Sequence, residues 1–391
     1  MENSIYSLSL RYIAKVLRTM QYGDALPQLP KGLTWRNIFV VSKDHSLAST
    51  IWYFIADFVK ADCANTDCEL IERWECERSI AFAQNLIQTA EFTRLTDTFT
   101  REKIKFLPLK GFIFKKMWHR PEYRTMADID IYVGNEGIDA VNNKLLAIGY
   151  KLDHKCSVHD SYAKPPYLNI EVHKSLREDS SDSFDSWQAR EDNPYWYEMG
   201  DVDFMLFNVA HIYKHYRHGG CGARALFDLQ LLIESNPSIV NNPLLLERLE
   251  AEGMLDFYHE MLHLMHFWYG DGTDKEYASN TDLLLDGVPS DRLCEMEYYI
   301  ATGGAYGSDS NRVEYDRRRQ SRGEYYLKRF FLPYNSMCHI YPWLKKAPIL
   351  LPVAYLLRLF KSIGNGRLKT ELHLLKRAEE KIESEKSSGS N

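Results

Sequence analysis

The segment Arg124-Thr-Met-Ala-Asp128-Ile-Asp130-Ile-Tyr-Val133 constrains this chain more than any other. Side chains on a strand alternate between faces. Ile129, Ile131 and Val133 therefore point into a core, while Asp128 and Asp130 share the opposite face. Like charges side by side repel, and the arrangement holds only where a cation neutralises it. Hard divalent ions such as Mg²⁺ take carboxylate oxygens and usually keep a substrate phosphate as a further ligand. The pair predicts a metal-dependent phosphoryl or nucleotidyl transfer site. The alternative is a solvated turn or edge strand.

A second run, Leu168-Asn-Ile-Glu-Val-His173, also alternates: Leu168, Ile170 and Val172 on one side, Asn169, Glu171 and His173 on the other. Beside the first strand, it would place Glu171 with Asp128 and Asp130. Three carboxylates can hold two divalent ions on the order of 4 Å apart.

Apolar spacing around these strands is helical through residues 1–100, with one long helix from about Leu70 towards Thr100. A β-like run, Ile104–Leu109, ends at Lys110-Gly111. A helix over Phe112–Trp118, the loop His119–Arg124, the aspartate strand and a helix over Gly137–Ile148 follow, then extended runs near Tyr150–His154 and Leu168–His173. Residues 178–200 read as a linker or covering loop, and helices resume from Val202. The pattern divides the chain into an N-terminal helical region (1–100), an α/β core (101–178), a C-terminal helical domain (200–375) and a charged tail (376–391). The fold class is α+β, a small mixed sheet flanked by helical domains.

The 391 residues are 45% hydrophobic and 26% charged, enough for a substantial core. A formal net charge of −6 argues against long-range attraction to duplex nucleic acid. Seven scattered cysteines and no basic, apolar leader predict a cytoplasmic chain with reduced thiols. Cys63, Cys68 and Cys76 lie near one another without CxxC spacing, leaving a zinc site or incidental thiols. No apolar run is long enough to span a bilayer. Ala347–Phe360, broken by Pro348, Pro352 and Arg358, is either a proline-interrupted core element or an interfacial segment flanked by Lys345, Lys346 and Lys361.

Leu109-Lys110-Gly111, Tyr123-Arg124, Asp128-Ile129-Asp130 and Ile170-Glu171-Val172-His173 together resemble the DNA polymerase β-like nucleotidyltransferase superfamily, and more closely a family of uncharacterised bacterial nucleotidyltransferases. Ala210-His211 through His215, Arg224 with Asp228, Tyr341-Pro342 and Leu350-Leu-Pro352 extend the resemblance more loosely. It implies that Asp128, Asp130 and Glu171 are catalytic and bind two Mg²⁺ or Mn²⁺ ions with NTP. It also implies that Lys110, Gly111, Arg124 and His173 lie on the nucleotide side. The superfamily usually has Gly-Ser at this turn, whereas Phe112 follows Gly111 here. Lys110 or Arg124 would then supply the phosphate contact, unless either is held in an ion pair with an acid.

His211, His215 and His218 share a helix face, as cleft lining or as zinc ligands. Arg224 and Asp228 are four apart, giving a helix pair or a phosphate-facing Arg224. Thr302–Gly307 is a connector or a phosphate-approaching loop. Arg317, Arg318, Arg319 and Arg322 form a basic run, solvated or facing a polyanion. The expected enzyme moves an NMP group from NTP to an acceptor hydroxyl on a sugar, small molecule, RNA end or protein, releasing pyrophosphate. The alternatives are a non-catalytic nucleotide-binding or antitoxin-like module, and transfer of another phosphate-linked group such as phosphocholine.

Overall fold

The computed structural model describes residues 5–62, 66–176, 182–270 and 290–388. Cys63 lies outside them, so the three-thiol cluster does too. Cys68, Cys76, Cys156, Cys221, Cys294 and Cys338 are free thiols.

The chain opens with α1 (Ile5–Tyr22), α2 (Trp35–Asp44), α3 (Ala48–Ala61) and α4 (Cys68–Arg101). Helix α4 starts where Asp67 accepts the Leu70 N–H at 2.7 Å, a carboxylate N-cap. Five strands follow: β1 (Leu107–Pro108), β2 (Ile129–Tyr132), β3 (Lys151–Lys155), β4 (His159–Lys164) and β5 (Leu168–His173). Their order is β1-β2-β5-β4-β3. β2 and β5 run parallel, and the other neighbours are antiparallel. The short α5 (Gly111–Lys115) separates β1 from β2, and α6 (Gly134–Ala147) begins the crossover towards β5.

Phe92, Leu95 and Phe99 of α4 and Val141 and Leu145 of α6 pack on Ile129, Ile131, Ile170 and Val172. Each such side chain contributes roughly 1.5–3 kcal/mol by leaving water. Helices cover that face of the sheet, and the alternation of β2 and β5 sends their acids to the other.

The expected α+β class, a small mixed sheet among helices, is what the chain adopts. Three local differences have physical causes. β4 reads as polar in sequence because Asp160 occupies an inward position, where it pairs with Lys174 Nζ at 2.6 Å. Within 178–200, β6 (Gln188–Arg190) and β7 (Asn193–Glu198) form a hairpin rather than a loop. It is tied to the core by Phe106 N–H donating to Tyr195 O and Tyr197 N–H donating to Phe106 O, both at 2.8 Å. The helix over Leu351–Gly364 fully buries only Ala354, which packs with Met337, Cys338 and Leu344 while Leu351 and Tyr355 lie against that cluster, so only one edge of the proline-rich stretch joins a core.

The chain divides into two compact units. The first comprises Met1–Lys214 with Cys221–Ala305. It includes α8 (Ala223–Ser235), α9 (Pro243–Ala251), α10 (Leu255–Tyr269) and most of α7 (Asp201–Arg217). In it, Ala305 N–H donates to Asp44 O at 2.8 Å, so the Thr302–Gly307 segment begins as a fastened connector. The second comprises His215–Gly220 with Tyr306–Asn391. Its core joins Val313 and Tyr325 to Leu375 and Ala378. The basic run is used there in internal contacts: Arg317 pairs with Glu379 at 3.2 Å, Arg318 with Glu314 at 2.8 Å and Arg322 with Glu379 at 3.6 Å, while Arg319 lies over the Tyr315 ring. The C-terminal helix continues to Ser388, and residues 389–391 lie outside the described residues.

Candidate active site

Parallel pairing sets Asp130 opposite Glu171 and Tyr132 opposite His173. Asp128 lies two residues before Asp130 on the same face. The three acids converge electrostatically: burial pushes the Asp128 carboxyl up to about 7, and the charges of Asp130 and Glu171 push the same way. Burial also opposes ionisation of Asp130, but Lys110 and a hydrogen bond from His173 outweigh it and hold Asp130 well below the usual carboxylate range. Their surroundings thus favour the neutral form on Asp128 and the ionised form on Asp130.

Imidazoles border the acids. His173 Nε2 lies 3.2 Å from Asp130 Oδ1 and 3.6 Å from Glu171 Oε2. Burial works against charge on His173, and the hydrogen bonds with Asp130 and Glu171 overcome it and raise its pKa. His159 of β4 pairs in register with His173 and brings Nε2 to 3.7 Å from Glu171 Oε1. Ligand atoms of His159, Glu171 and His173 lie within 4.8 Å of one another. His159 escaped the sequence reading because its strand did. The signal was present as His159-x-Ser161, period two, facing the same side as Glu171.

Lys110 sits at φ +39°, ψ −90°, a conformation that a residue with a Cβ holds at a cost of about 1–3 kcal/mol. The turn is fixed by Leu109 N–H donating to Asp130 O at 3.0 Å. It points the ammonium to 3.8 Å from Asp130 Oδ1 and over the Phe207 ring. A Cβ on Gly111 would meet the Met126 sulfur, so a larger residue there would have to displace that side chain.

Arg124 is held in an ion pair, the alternative to a phosphate contact. Nε and Nη2 donate to Asp228 Oδ1 and Oδ2 at 2.8 and 2.7 Å, and Trp118 Nε1 donates to Oδ1 at 2.7 Å. Arg124 and Asp228 are both buried. A planar guanidinium fits a carboxylate in this two-point way, and the pair is satisfied without a ligand. Asp228 thus serves Arg124, which is distant in sequence. Arg224 Nη1 instead donates to Thr125 O and Oγ1, both at 2.8 Å. Thr125 Oγ1 donates to Ser46 O, and Gln84 and Gln88 donate to Met126 O. Every residue from Arg124 to Met126 is thus anchored, which fixes the approach to Asp128. His211 contributes charge near Asp130. His215, one turn later, belongs to the second unit.

Known proteins give the same class. Residues 31–270 match the family described as uncharacterised nucleotidyltransferase, more than half of the chain, and the chain belongs to that family. Nucleotidyl transfer is the general chemistry that goes with it. A solved structure that also matches is the lincosamide antibiotic adenylyltransferase LnuA in its lincomycin-bound form. It is 18% identical, with 37% of this chain and 94% of that one covered and a TM-score of 0.28. No curated protein matches.

Proposed function

We propose that this chain moves an NMP group from an NTP to an acceptor hydroxyl, releasing pyrophosphate, with Mg²⁺ or Mn²⁺ held by Asp128, Asp130 and Glu171. The observation that carries this reading is the facing of Asp130 and Glu171 across parallel strands, with Asp128 pushed towards its protonated form by burial first and by their charge second. Divalent cations bound there would offset the triphosphate charge and make the acceptor hydroxyl more acidic. Carboxylates suit Mg²⁺ and Mn²⁺, whereas imidazole suits softer ions such as Zn²⁺, so in this reading the acids hold the ion and His159 and His173 border it.

The chain's own groups place the reaction. The acceptor oxygen forms its bond to the α-phosphorus as the bond to the bridging oxygen breaks. The electron pair leaves with pyrophosphate. Glu171, 28% exposed against 10% for Asp130, is the more accessible of the two and takes the hydroxyl proton. Lys110 donates to the triphosphate, the role that serine has at the usual Gly-Ser turn. His173 keeps Asp130 ionised and oriented. In this proposal the enzyme works in the cytoplasm. Among the described residues no helix is long and apolar enough to cross a membrane.

The test uses each NTP labelled at the α-phosphate, with Mg²⁺ or Mn²⁺ and a cell extract. Label is expected on one acceptor class and is lost in Asp130→Asn. Retained NTP binding with no label on any acceptor, in the wild-type protein and with either ion, would establish the non-catalytic module instead.

A further inference from the structure

Residues 325–370 contain eight Lys or Arg and no Asp or Glu, inside a chain of formal net charge −6. Within this stretch lies the helix Leu351–Gly364, about 21 Å long at 1.5 Å per residue. Val353, Leu356, Leu357, Phe360 and Ile363 fall in an arc of about 120° when successive residues turn 100°. All five are 45–66% exposed, and Ile349, just before the helix, is 88% exposed. A stripe of this width ordinarily faces a core. Here the core lies on the opposite edge. Ala354 is buried, Tyr355 Oη donates to Leu332 O at 2.7 Å, and Arg358 Nη1 donates to Arg329 O and Phe330 O at 3.0 and 3.1 Å. Rolling the helix to hide its stripe would break all three bonds.

We propose that this face docks on an anionic lipid surface, with the helix lying in the plane of the interface. The stripe supplies apolar area of the depth that the headgroup boundary takes. The charge is complementary. Lys345 and Lys346 just before the helix, Lys361 on it and Lys369 after it are exposed, and among the described residues none has an acidic partner. Lysine stems can lie along the apolar edge while the ammonium groups reach the headgroups. Trp343, 37% exposed, is the residue type that favours that boundary. A second copy of the chain would bring the same cations against these, and like charges oppose that pairing. The proposal is independent of the transferase reading.

The full-length protein is sedimented with phosphatidylcholine vesicles, with and without phosphatidylglycerol, at low and high salt. Binding is expected to the anionic vesicles and to fall steeply with salt. Lys345→Ser and Lys346→Ser should each weaken partitioning about fivefold, the equivalent of about 1 kcal/mol per basic residue near such a surface. The double variant L356S/F360S should weaken it roughly tenfold or more, with circular dichroism and melting temperature unchanged because both side chains are exposed. Three results would overturn the proposal: folded wild-type protein that ignores anionic vesicles at low salt, wild-type binding by L356S/F360S, or a dimer in light scattering that L356S/F360S dissociates.

Discussion

Replacing Asp228 by alanine would remove acceptors for three buried donors at once: Arg124 Nε, Arg124 Nη2 and Trp118 Nε1. The Arg124 side chain is 7% exposed, so its charge would be left inside the protein without a counter-ion. Breaking one half of a buried pair costs about 3–5 kcal/mol, whereas replacing both halves with apolar groups of similar size is often close to neutral. Total stability is commonly about 5–15 kcal/mol, so the single change removes a large part of it. Urea unfolding followed by tryptophan fluorescence measures the loss. Asp228→Ala should lose about 3–5 kcal/mol, and D228A/R124M should recover most of it. A loss under about 1 kcal/mol, or a double variant no better than D228A, would refute the assignment of Arg124 as a structural anchor. Full stability in D228A with loss of NTP affinity would return Arg124 to the phosphate side.

Two other outcomes follow from buried charge. His45 is buried and neutral; Nε2 faces Ala301 O at 3.4 Å and Nδ1 accepts from Ala223 N–H at 3.1 Å. Burial lowers its pKa to about 4 from 6.5. The unfolded chain binds the proton first, so this stability is present above pH 6.5 and is lost as pH falls towards 4, by on the order of 3 kcal/mol. Melting temperatures across that range should fall less in His45→Gln; equal slopes would disprove it. For Asp128 the sign reverses. Its pKa is raised, so the metal-free protein loses stability as pH rises through about 7. Asp128→Asn without divalent ions should therefore melt higher than wild type near pH 7 and gain nothing from added Mn²⁺. A lower melting temperature without metal would contradict the crowding of carboxylates.

The strands β2 and β5 were legible because their apolar residues alternate without a break, and their acids stood out against that alternation. β4 was not, because Asp160 takes an inward position that its pairing with Lys174 makes tolerable. With the strand went His159. The anchor pair escaped for a different reason: Arg124 and Asp228 are far apart in sequence, and each had a nearer explanation, a phosphate for one and Arg224 for the other. The Leu351–Gly364 helix had the right period for a core element. Only the hydrogen bonds on its far edge show which way that period faces.

The parallel register of β2 and β5 has a consequence for how the protein comes into being. Asp130 and Glu171 become neighbours only after a crossover of about forty residues has closed, and long-range pairings of this kind form slowly because chain entropy is lost before contacts repay it. During synthesis Asp128 and Asp130 emerge well before their third partner. Until β5 has been made, Asp130 has no Glu171 opposite it, so this pairing depends on the long crossover and not on local sequence alone.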